Sequence, residues 1–132
     1  MNLLDAMNAR LDRLDDDARA KLIKTMKEAD LRDRHIVPMA RTLRYLVYFT
    51  WNSKHSPGGF PDVVMLHPVT GALIVREIKK AGNLKKYQPR PDQQAWLDGF
   101  TLAGVDADVW TPADLFSGRI RRELLEGADR TA

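Results

Sequence analysis

The chain has 132 residues, 44% of them hydrophobic and 30% charged, with a formal net charge of +3 and a pI near 9.3. That length suits one domain whose single core buries roughly two-thirds of the surface. The absence of cysteine excludes a disulfide framework, a thiolate metal site and a cysteine nucleophile. No stretch approaches the roughly 20 apolar residues of a membrane span, and the segment from Met1 to Ala6 lacks the basic region and long apolar core of a signal peptide. A cytoplasmic protein is therefore expected. The mild basic charge permits a polyanionic partner without demanding one.

Leu3, Leu4, Met7, Leu11 and Leu14 recur at steps of three and four, which predicts an amphipathic helix over residues 2–14. Asp15 suits the N-cap of a second helix, with Asp16 and Asp17 in its first turn and Ala18, Leu22, Ile23 and Met26 on one face. These two form an N-terminal helical extension, residues 1–27, whose apolar stripe packs on the domain core or on a second copy. The helical period continues over 28–44 through Leu31, Ile36, Met39, Ala40 and Leu43. Pro38 predicts a kink or restart there, because it lacks an amide hydrogen. The β-branched and aromatic run from Tyr45 to Trp51 reads as a strand, and 52–59 reads as a loop.

Residues 58–79 hold the most information. Gly-Gly-Phe-Pro-Asp-Val-Val-Met-Leu is followed by a His-Pro-Val-Thr-Gly turn and Ala-Leu-Ile-Val-Arg-Glu-Ile-Lys, a hairpin signature. The segment from Lys80 to Arg90 has no period and reads as a basic loop. Pro91 opens a helix to about Ala103, closed by Gly104. A strand over Val105–Trp110, a helical turn at Pro112–Leu115 capped by Thr111, and a helix over Arg119–Leu125 complete the chain. The order predicts an α/β domain over residues 28–132, a central mixed sheet of about four strands flanked by helices. The hairpin is antiparallel, and the strand after the long helix is placed as a parallel crossover.

Strand alternation puts Glu77 and Lys79 on one face and Ile78 on the other, with Asp62 at the start of the neighbouring strand. Two carboxylates can hold a hard divalent cation such as Mg²⁺ or Mn²⁺, with the Ile78 backbone carbonyl adding a third oxygen. Such an ion neutralises a phosphodiester and activates water, while Lys79 positions that water or stabilises developing charge. Plainer readings also exist. Asp62 suits a turn, Glu77 and Lys79 suit the solvent side of an edge strand, and Gln93 suits an exposed helix face. Trp51, Trp96 and Trp110 read as packing residues rather than base-stacking platforms. His35, His55 and His67 show no metal-ligand spacing.

Pro61-Asp62, the hairpin turn and Glu77-Ile78-Lys79 resemble the PD-(D/E)xK nuclease core. Gly59-Phe60-Pro61-Asp62, Glu77-Ile78-Lys79, Gln93-Gln94-Ala95-Trp96-Leu97 and Val109-Trp110-Thr111-Pro112-Ala113-Asp114 together resemble stand-alone members of the VRR-NUC family. The resemblance covers roughly residues 28–125. It implies a restriction-endonuclease-like core and a Mg²⁺- or Mn²⁺-dependent DNA endonuclease, a homodimer acting on branched DNA such as four-way junctions. Asp62 and Glu77 would be metal ligands, Lys79 the catalytic lysine and Gln93 a helix-borne group facing the site. Glu28 would be the first-helix acid, with Asp30 and Asp33 as fallbacks, because the Glu28–Ala40 spacing is one residue longer than the family pattern. Arg90 stands where the family has a hydroxyl cap. Lys54, Lys80, Lys85, Lys86 and Arg90 are candidate phosphate contacts. Two alternatives remain: a non-catalytic DNA-binding module of the same fold, and a restriction-type duplex nuclease.

Overall fold

The computed structural model describes residues 3–50 and 56–130. Its helices are α1 (Leu3–Asp12), α2 (Asp16–Thr25), α3 (Glu28–Leu31), α4 (Val37–Thr42), α5 (Pro91–Leu102), α6 (Pro112–Phe116) and α7 (Arg119–Ala128). Strands β1 (Leu46–Phe49), β2 (Val63–Leu66), β3 (Leu73–Ile78) and β4 (Asp106–Trp110) form one sheet in the order β1-β2-β3-β4. The β1–β2 and β2–β3 pairs are antiparallel and β3–β4 is parallel, with α5 as the crossover. The domain is α/β, with a four-stranded mixed sheet flanked by helices.

The period of two divides the sheet into two faces. Val63, Met65, Ile74, Ile78 and Trp110 lie buried on one face, against Ile36, Met39, Ala40, Leu115, Ile120 and Leu124. Glu77 lies on the other face, next to α5. Leu4 of α1 joins the main core, with Met7, Leu11 and Met26 packed against it, so the N-terminal apolar stripe is used on this chain's own core. Asp15 caps α2 as expected, accepting a hydrogen bond from the Ala18 amide at 2.7 Å.

Pro38 marks a restart, as expected: α4 opens at Val37 with the proline in its first turn. A π turn at Arg32–Ile36 joins α3 to α4, and the Val37 amide donates to the Arg32 carbonyl five residues back. Proline has no amide hydrogen to offer the carbonyl four residues back, and its ring crowds that carbonyl. A wider turn relieves both problems and takes up one additional residue. Beyond the turn, Ala40 is fully buried. The helix ends at Arg44, which adopts φ 71°.

Tyr45 precedes β1 instead of starting it. Its hydroxyl donates to the Leu124 carbonyl at 2.6 Å, and its ring stands edge-on to His67. His67 receives the Val69 and Thr70 amides at Nδ1, which leaves Nε2 to donate to the Leu43 carbonyl at 2.9 Å. Its role is structural. No helix among the described residues is long and apolar enough to cross a membrane.

Candidate functional site

β3 lies between β2 and β4, so the edge-strand reading of Glu77 and Lys79 does not hold. Glu77 is 2% exposed and Lys79 is 7% exposed, and the Lys79 amide extends the β4 pairing by donating to the Trp110 carbonyl at 3.1 Å. Pro61 cannot donate into the sheet, so regular β2 pairing starts after it. The Asp62 carboxylate takes up the free position: its Oδ2 accepts the Ile78 amide at 2.7 Å. The N–H and C=O of a strand residue point to the same side, so the Ile78 carbonyl is directed toward Asp62.

Gln93, expected on an exposed helix face by its residue type alone, is 7% exposed. Its Nε2 donates to Glu77 Oε1 at 3.1 Å, and its Oε1 accepts the Arg90 amide at 2.9 Å. This second bond is half of a capping box, so α5 starts without the hydroxyl that Arg90 cannot supply. Gly59 explains the Gly-Phe-Pro-Asp run. It adopts φ +90°, and a Cβ there would lie 2.8 Å from the backbone C and O of Asp92. Only glycine lets the strap before Asp62 lie this close to the first turn of α5.

Glu28, Asp62, Glu77, Lys79, Arg90 and Gln93 line a single cavity of about 390 Å³. Residues separated by up to 65 positions in the chain converge there. Asp30 and Asp33 do not line it. Asp30 pairs with Arg34 at 3.7 Å and Asp33 with Arg32 at 2.7 Å. Lys80, Lys85 and Lys86 also stay outside the cavity. Lys80 and Lys86 approach the Tyr87 ring at 5.9 and 5.2 Å. Lys54, His55 and Trp51 lie outside the described residues.

Sequence reasoning missed Arg32, Thr50 and Ser56. Thr50 and Ser56 add hydroxyls to the cavity wall. Arg32 lies over the Phe49 ring at 5.2 Å and its charge acts on Asp62. Its position four residues after Glu28, on the same helix side, was the available signal.

Electrostatics single out Glu77. Burial first, then hydrogen bonding and charge from the neighbouring Asp62 carboxylate, push its pKa up from 4.5 to about 9. Lys79, with Nζ 4.0 Å from Glu77 Oε1, pulls the other way, and Glu28 adds to the rise. With both carboxylates charged, the buried Glu77 Oε2 receives no hydrogen bond from the described residues. Two acceptors thus face each other, and only a shared proton or a cation satisfies both.

Among the described residues, no three histidine, cysteine or carboxylate side chains stand close enough to ligate one ion by themselves. A hard cation that keeps most of its waters needs only one or two carboxylates. The orphaned Glu77 oxygen beside Asp62 fits that demand. The chain matches no family model, no curated protein sequence and no solved structure.

Proposed function

We propose that the chain is a Mg²⁺- or Mn²⁺-dependent DNA endonuclease with a restriction-endonuclease-like core of the VRR-NUC kind, acting on branched DNA such as four-way junctions. The observation that carries this reading is the buried Glu77 Oε2, without a hydrogen-bond donor, facing Asp62 and flanked by Lys79. Asp62 and Glu77 would hold the ion, with the Ile78 carbonyl as a further oxygen and Glu28, which lines the same cavity, as a further acid. The bound ion supplies charge neutralisation at the phosphate and a water acidic enough to attack near neutral pH.

The protein's own groups do the rest. Gln93 fixes the Glu77 carboxylate from one side, and the Ile78 amide fixes Asp62 from the other. Lys79, buried up to its ammonium, orients the attacking water or meets the charge that develops on the phosphate. Arg90, anchored on Asp92 at 3.2 Å, stands at the cavity wall as a phosphate contact, and Lys80, Lys85 and Lys86 extend the cationic surface on the adjoining loop. A homodimer belongs to the same reading, because a two-fold pair presents two sites to the two strands of a junction. A cytoplasmic setting belongs to it as well.

The test incubates labelled four-way junction, flap and plain duplex with the full chain in Mg²⁺ or Mn²⁺, beside Lys79→Ala. Cleavage by the wild type that drops by at least about a hundredfold in the variant is expected. DNA binding with no cutting in either metal would reassign the chain as a non-catalytic DNA-binding module. Discrete cuts in plain duplex would point to a restriction-type nuclease.

A further inference from the structure

A second cavity of about 290 Å³ adjoins the carboxylates and shares Thr50, Ser56, Pro57 and Phe60 with their cavity. Its remaining walls are Tyr48 and Trp96. Trp96 is half-buried, as expected of a packing residue, and leaves 41% of its surface open, while Tyr48 is 64% exposed. Trp110, by contrast, is fully buried. Exposed as it is, the Trp96 ring is braced. Phe60 meets it edge-on at 5.1 Å and 75°, and Phe100 lies at 5.9 Å.

We propose that the slot between Tyr48 and Trp96 stacks an unpaired nucleobase next to the phosphate held at Asp62 and Glu77. The preferred substrate is then DNA with a single-stranded segment at the cut. This inference rests on the nuclease reading of the carboxylate cavity. Three features select a nucleic-acid strand over a protein partner.

First, braced aromatic rings offer a stacking surface to any base at little entropic cost. Bases inside an intact duplex are already stacked on their neighbours, so only an unpaired base gains from the slot. Second, the hydroxyls of Thr50 and Ser56 stand on the wall between the two cavities, where a base edge or sugar needs hydrogen-bonding groups. Third, the charge is complementary. Lys79 and Arg90 line the adjoining cavity, and Lys80, Lys85 and Lys86 follow on the loop that leads into α5. Lys79 and Arg90 already pair with Glu77 and Asp92, but Lys80, Lys85 and Lys86 make no ion pair among the described residues. A strand with one negative charge per nucleotide supplies their counter-charge where an apolar protein surface over Trp96 does not.

The experiment measures binding of a labelled oligothymidylate and of a duplex of equal length, in a Lys79→Ala background that prevents cutting. Adding Trp96→Ala is expected to weaken single-strand binding by about tenfold, Trp96→Phe by no more than about threefold, and duplex binding by less than about twofold. Tyr48→Ala, on an exposed strand position, gives a second loss in the same direction without disturbing the core. The proposal is overturned if single-strand affinity is unchanged in both alanine variants, or if single strand and duplex lose equally. It is also overturned if light scattering shows that the variants change oligomeric state instead, which makes the surface a contact between copies. Metal-dependent cleavage lost with Lys79→Ala, combined with any of these results, rejects the slot and keeps the nuclease. A wild-type chain that neither binds nor cuts DNA rejects both.

Discussion

Replacing Glu77 by glutamine should stabilise the metal-free protein at neutral pH and abolish its response to divalent metal. In the wild type, burial and Asp62 raise the Glu77 pKa from 4.5 to about 9. Between those values the folded chain holds a proton that the unfolded chain has released. Fewer protons on the unfolded state mean that stability declines as pH rises across this window. Below it both states are protonated, and the penalty vanishes. Glutamine has nearly the same shape and no charge. Its oxygen keeps the bond from Gln93 at 3.1 Å, and its amide nitrogen takes the place of the undonated Oε2 and donates to Asp62.

Removing the acid that the folded chain can bury only by taking up a proton is worth about 1–3 kcal/mol near neutral pH, once the shift is discounted for solvent screening. The Lys79 ammonium loses a partner at 4.0 Å, which subtracts part of that gain. A net of about 1–2 kcal/mol corresponds to a rise of about 4–8 °C in Tm for a chain of this size. Circular-dichroism melts at pH 5, 7 and 8.5, in chelator and in Mn²⁺, give the comparison. The gap between variant and wild type should widen with pH, and Mn²⁺ should raise the Tm of the wild type only. A variant that melts below the wild type at pH 8.5 in chelator would refute the reasoning, as would a gap that stays constant between pH 5 and 8.5.

Glu28→Gln should weaken divalent-metal affinity by about tenfold, read by calorimetry, while Asp30→Asn and Asp33→Asn leave it unchanged. Gly59→Ala places a methyl 2.8 Å from the Asp92 backbone at φ +90°, and should cost about 1–3 kcal/mol in urea unfolding, with the loss of metal affinity as a second readout. Arg76 is 1% exposed, lies over the Trp110 ring at 4.8 Å and bridges Asp106 and Glu123. Arg76→Met should therefore lower stability by about 3 kcal/mol, whereas Asp106→Asn at the exposed end of the network should stay within about 1 kcal/mol by the same melt.

The elements that short-range pattern specifies were readable before folding, and those that depend on tertiary context were not. Alternation over Ala72–Lys79 placed Glu77 and Lys79 on one side, and the Pro- and Gly-bearing turn set the hairpin that pairs Val63 with Arg76. Asp62 was a candidate from residue type and order, whereas Gln93 was one only by the family resemblance; both reach Glu77's surroundings. The π turn at Arg32–Ile36 was not readable, because a hydrophobic period cannot register one additional residue inside a continuous helix. Arg76 drew no reading from sequence; it is buried because Asp106 and Glu123, distant in the chain, pair with it. Trp96 packs half-buried on Phe60 and Phe100 as expected, but its helix gives no hint that a single helix leaves part of this sheet face open. Tyr48 and Leu46 show the same opening on β1.

Gln93 occupies a position with mechanical consequences. One end of its amide holds the backbone N–H of Arg90, the last residue of the basic loop, and the other end holds the buried acid of β3. Any displacement of that loop that carries Arg90 with it must either break the start of α5 or turn the amide away from Glu77. The position of the lysine-rich loop and the aim of the carboxylate are therefore a single degree of freedom. On the proposed function, a polyanion that draws Lys85 and Lys86 toward itself would be felt at Glu77 through this three-atom lever.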